Sequence, residues 1–134
     1  MKKAIIILVL VLFAVPAIAD FQTDFDLFAL IYGFDRLEKV SSSGYKLTTV
    51  EIMVTSEITL YAEENDIADL FAAACCAMRT IDNQGDMLDQ YGRLLHAYFL
   101  SRAAGGEEKH ATTETGIMIF FSTSSGLITV RLVK

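Results

Sequence analysis

Twelve consecutive apolar residues, Ala4 to Val15, leave this chain few ways to fold as a whole. No polar side chain interrupts them, so they do not make the two-faced helix that covers a globular core. The run also falls short of the roughly 20 residues a helix needs to cross a bilayer. Its flanks fit a third role. Lys2 and Lys3 give it a basic start, and Pro16-Ala17-Ile18-Ala19 closes it with small residues one and three positions before a cut. That is the layout of a secretory signal peptide, with cleavage expected after Ala19. The residue directly after Ala19 is Asp20 and not a cysteine, which argues against a lipid-anchored precursor.

The chain therefore divides into a signal peptide, residues 1–19, and a single small domain, residues 20–134. Removing Lys2 and Lys3 leaves 9 basic against 17 acidic residues, so the net charge moves from −6 to −8. An acidic domain with no basic cluster argues against nucleic acid and against anionic membrane surfaces as partners. No later segment reaches spanning length, so no stable membrane span is expected after cleavage. The expected location is periplasmic or secreted. Cys75 and Cys76 are adjacent and sit in a small-residue run that reads as helix. Neighbouring side chains on a helix diverge by about 100°, so this pair is expected to be buried and free rather than bridged.

Along the domain, Phe21, Phe25, Phe28 and Tyr32 follow the 4-3-4 spacing of one helical face within Asp20–Phe34, a face that either packs on the domain or is presented in part to a partner. Thr23 and Asp26 resemble a capping box. Val40–Gly44 reads as a loop. Thr49–Leu60 alternates apolar and polar residues with a single parity, the pattern of one long half-buried strand. Glu63–Thr80 is apolar nearly all round and predicts a central helix. Asp86–Ala104 predicts a second helix, with Met87, Leu88, Tyr91, Leu94, Leu95, Tyr98 and Phe99 on its apolar face. Asp89, Gln90, Arg93 and His96 fall mostly opposite. The polar stretch Gly105–Thr115 reads as a mobile connection. Gly116–Ser122 and Leu127–Val133 read as a hairpin around a four-residue loop, Thr123–Gly126. The expected fold is α+β: a three-stranded, mostly antiparallel sheet with two to three helices packed on one face.

The residues that carry chemistry are sparse. Asp82, Asp86 and Asp89 lack the spacing of a calcium loop and read as a helix connection with a cap. His96 and His110 are the only histidines, and neither is set in a nucleophile motif. No metal-ligand spacing and no phosphate-cradling loop is present, so neither a metal nor another cofactor is expected, and no catalytic residue is assigned. Three functions remain. The first is a non-enzymatic exported protein that binds an envelope or extracellular protein, or itself, through Phe21, Phe25, Phe28 and Tyr32. The second is a carrier of a small apolar ligand in a pocket between helices and sheet. The third is a small hydrolase using a histidine beside a carboxylate. The charged segment with Glu107, Glu108 and His110 is an alternative site.

Overall fold

The computed structural model describes residues 16–31, 33–34 and 37–134. Most of the signal-peptide segment, residues 1–15, lies outside these, as does Tyr32. The elements in chain order are α1 (Pro16–Ile31), β1 (Glu38–Lys39), β2 (Gly44–Leu47), β3 (Val50–Val54) and β4 (Ile58–Glu63). A single 3-10 turn (Glu64–Asp66) then leads into α2 (Ile67–Ile81), α3 (Met87–Ala103), β5 (Lys109–Thr112), β6 (Met118–Ser124) and β7 (Leu127–Val133). The fold is α+β, as expected, but the sheet has seven strands rather than three, in the order β1-β2-β3-β4-β7-β6-β5. Every neighbouring pair is antiparallel. Among the described residues, no helix is long and apolar enough to cross a membrane.

The extra strands have physical causes that periodicity does not register. The expected single strand over 49–60 is a hairpin, with Val54 directly opposite Ile58. Residues paired across a hairpin share a face. A three-residue loop therefore preserves parity, and the alternation runs on as if the chain were straight. Thr55 closes the turn by donating its amide to the Glu57 carbonyl at 2.9 Å. In β2, Tyr45 and Leu47 are buried on either side of exposed Lys46, a pattern only three residues long. β5 occupies what reads as a mobile polar stretch. Its inward residue, Ala111, is small, and packing beneath α3 supplies the order that apolar bulk does not.

The β6–β7 loop is two residues, not four. Ser125 and Gly126 both have positive φ (52° and 79°), as the tight turn that matches strand twist requires. This hairpin is no sheet edge, because β7 pairs with β4 on its other side; the edges are β1 and β5.

One face of the sheet carries the core. The register puts Tyr45, Ile52, Leu60, Val130 and Phe121 in one row across five strands, all nearly inaccessible to water. α2 lies centrally on this face, with α1 and α3 packed against it on either side. Leu70, Ala73, Ala74, Cys76, Ala77 and Met78 of α2 are fully buried. Their small side chains let neighbouring backbones approach closely. α1 is pinned from its polar side as well: the Leu37 amide donates to Asp26 Oδ1 at 2.7 Å, and Gln22 Nε2 donates to the Leu37 carbonyl at 3.2 Å. Asp26 thus holds the chain leading into β1 and is not part of a capping box. The helix begins upstream, at Pro16.

Candidate binding surfaces

Two members of the aromatic stripe, Phe21 and Phe25, are core. Phe25 is fully buried and Phe21 nearly so. Their ring centroids lie 5.6 Å apart, with Tyr45 of β2 5.8 Å from Phe21. Phe28 is half-buried beneath the Arg79 guanidinium, 5.8 Å from the ring centroid. As packed here, Phe21 and Phe25 have no surface to offer a partner, which corrects their assignment as contact residues. The side of α1 that faces outward presents Leu27, Leu30 and Ile31 instead.

Of the alternative site, His110 lies in β5, and Glu107 and Glu108 lie in the loop just before it. Glu107 is exposed and pairs with Lys109 at 3.8 Å. Glu108 reaches Arg131 of β7 at 3.1 Å, on the face of the sheet away from the helices. Glu57 approaches the same guanidinium at 3.3 Å, and the Phe120 ring lies 4.5 Å from its central carbon. His110, opposite Phe120 in the β5–β6 register, stacks against that ring at 5.4 Å. Glu108 first, and then Glu57, hold the Arg131 guanidinium still more firmly protonated. The arrangement is a two-carboxylate clamp on one cation, backed by an aromatic ring. Both carboxylates are engaged by the one guanidinium, and neither His110 nor the exposed His96 makes a hydrogen bond to a carboxylate among the described residues. No group of three or more His, Cys, Asp or Glu side chains among the described residues is placed to hold a metal ion.

The three aspartates of the α2–α3 connection act structurally. Asp86 caps α3 by accepting the Leu88 amide at 2.8 Å. Asp89 accepts the Glu114 amide at 2.8 Å and pairs with Arg93 at 3.2 Å. Asp82 is buried. The Thr115 hydroxyl donates to its carboxylate, and Lys134 Nζ lies at 3.6 Å. The Thr115 hydrogen bond, with Lys134 adding to it, holds the Asp82 carboxyl below its ordinary pKa against the opposing effect of burial. Together these contacts tie the connection to the β5–β6 turn.

α3 packs rotated away from the centre of its apolar pattern. Its buried residues are Gln90, Leu94, Ala97 and Ser101, a 4-3-4 stripe of mostly small or polar side chains, with Gln90 and Ser101 each only 1% exposed. Gln90 Nε2 donates to the Asp82 carbonyl at 3.1 Å. Leu88 and Phe99, on the opposite side, are 79% and 60% exposed, with Tyr91 and Met87 also exposed. Part of the expected apolar face is therefore turned to solvent, while Leu94 of that face is fully buried and Tyr98 packs against Phe121. Hydrophobic periodicity does not reveal this, because it gives no weight to the small residues that permit close contact with β5 and β6.

At the hairpin end of the sheet, α3, the start of α2 and the β6–β7 turn enclose a cleft of about 670 Å³. Tyr98, Ile67, Phe121 and Ile128 form its apolar side, with Arg102 and Glu64 among its polar lining. Gly106 sets the depth of one wall. Its φ is +95°, and a Cβ there would lie 2.5 Å from the Thr123 carbonyl oxygen, so only glycine brings this loop against β6. The Thr123 amide donates to the Gly106 carbonyl at 2.9 Å and locks the approach.

The chain matches no family model, no curated protein and no solved structure.

Proposed function

We propose that this protein is exported, loses residues 1–19, and serves as a non-enzymatic binding module that docks a macromolecular partner through the outer face of α3. The observation that carries this reading is the exposure of part of that helix's apolar face. A helix on a solvated surface normally turns its polar side to water, whereas α3 buries Gln90 and Ser101 and exposes Leu88, Tyr91 and Phe99. Full burial of a leucine or phenylalanine contributes about 1.5–3 kcal/mol, so covering these side chains is a substantial source of binding energy. The charge of the domain without its first 19 residues disfavours an acidic partner. Cleavage after Ala19 keeps Phe21, Phe25 and Ala29, buried core residues of α1, on the retained side of the cut.

Light scattering of the purified protein, followed by crosslinked capture from the envelope fraction, tests the docking. The expected result is a dimer or a specific captured protein that the Leu88→Asp/Phe99→Asp double variant loses while keeping its melting temperature. A strict monomer that captures nothing overturns it. Terminal sequencing of exported protein tests the address: Asp20 is the expected first residue, and a retained leader overturns this part.

A further inference from the structure

The cleft at the hairpin end plays no part in docking through the outer face of α3, and its chemistry is specific. Its volume lies in the range of sites that accept small molecules. The apolar side is rigid: the Tyr98 and Phe121 rings meet edge-on with centroids 5.2 Å apart, and Phe71 packs against both. The lining carries one cation and one anion from different elements. Arg102 is exposed and leans on Tyr98, with one N–H donated to the Tyr98 hydroxyl at 2.8 Å and its central carbon 5.9 Å from that ring's centroid. It enters no ion pair among the described residues, so its charge and several of its five donors are uncommitted. Glu64 is positioned by its own amide, which donates to the Gly126 carbonyl at 3.1 Å. Its carboxylate likewise enters no ion pair among the described residues.

An apolar wall with separate, unneutralised charges of opposite sign is complementary to a small zwitterion that has an apolar body. We propose that this cleft binds an amino acid with an aromatic or branched side chain. The ligand carboxylate sits on the Arg102 guanidinium, which suits carboxylates geometrically. The ammonium pairs with Glu64, and the side chain lies against Tyr98 and Ile67. The arrangement favours a ligand with both charges, because a singly charged one forgoes a charge-assisted contact with either Arg102 or Glu64.

Three probes of matched body test this on the unaltered protein: L-phenylalanine, 3-phenylpropionate and phenethylamine, titrated into ¹⁵N-labelled protein. L-Phenylalanine is expected to shift the amides of Gly105, Gly106 and Gly126 and to bind at least about tenfold more tightly than either singly charged probe, the factor that one good polar contact supplies. In Arg102→Gln, L-phenylalanine falls to the affinity of phenethylamine; in Glu64→Gln it falls to that of 3-phenylpropionate. Absence of shifts at those glycines at roughly millimolar probe, equal affinity for all three probes, or shifts confined to other parts of the protein each overturns the proposal. The wild-type comparison decides the matter even where a variant folds poorly. It is also indifferent to the Leu88 and Phe99 surface, so failure here and failure of docking are separately readable.

Discussion

α2 and α3 cover the same face of the same sheet and treat their apolar residues in opposite ways. α2 commits them to the core: Leu70 and Met78 are wholly buried among small neighbours on several sides. α3 reaches the sheet through Gln90, Leu94, Ala97 and Ser101 and sends Leu88, Tyr91 and Phe99 outward. A central helix is enclosed on enough sides that almost any apolar residue finds a contact. A flanking helix has one narrow contact stripe, and there close approach and a well-placed hydrogen bond decide the packing. Composition alone therefore does not say which way an amphipathic helix faces.

The sharpest test of this contrast is truncation in α2. Leu70→Ala is expected to cost about 2–5 kcal/mol, the range for a fully buried leucine, read by urea denaturation. A loss under about 1 kcal/mol would mean that the helix is not enclosed as described. On α3, Gln90→Ala removes the amide that holds the Asp82 carbonyl and is expected to cost about 1–3 kcal/mol, because a buried acceptor loses its donor. No cost there would return the polar stripe to the surface.

Next comes the joint between the two helices. The depressed pKa of Asp82 means that its contribution to stability is fully present above its unfolded value of about 3.9 and is lost as pH falls through the lower folded value. Stability should therefore drop at acid pH, and Thr115→Val should flatten that drop. An identical acid profile in the variant would remove Thr115 from the account. The smallest effect is expected at Leu88→Ala and Phe99→Ala, each within about 0.5 kcal/mol of wild type in the uncomplexed protein. A large loss at either would place those side chains in the core and end the contrast between the helices.

How much of this was legible in the chain varies by element. The central helix announced itself, because Leu70–Met78 has no polar side to turn outward. The α+β class followed from the segregation of helical and alternating patterns. The strand count did not follow. Parity passes unbroken through the turn at Thr55–Glu57, and β5 is held by Ala111 under α3 rather than by bulky residues of its own. The Phe21–Phe25 stripe was visible as a stripe, but spacing does not distinguish a face that meets the core from one that meets a partner. The Arg131 clamp was out of reach, since Glu57, Glu108 and Arg131 meet only once the order β4-β7-β6-β5 is known. The end cleft depends in the same way on loops far apart in sequence.

The adjacent cysteines carry a last consequence. Consecutive Cα atoms are about 3.8 Å apart across a trans peptide, closer than the roughly 4.4 Å minimum of a disulfide, so the two thiols do not bridge in place. Burial pushes Cys75 up to about 11 and Cys76 to about 12, which suppresses the reactive thiolate while α2 stays packed. The pair is thus a clock built into the centre of the molecule. In the native protein its rate of modification by a thiol reagent counts openings of α2, and any ligand or partner that braces the domain should slow it.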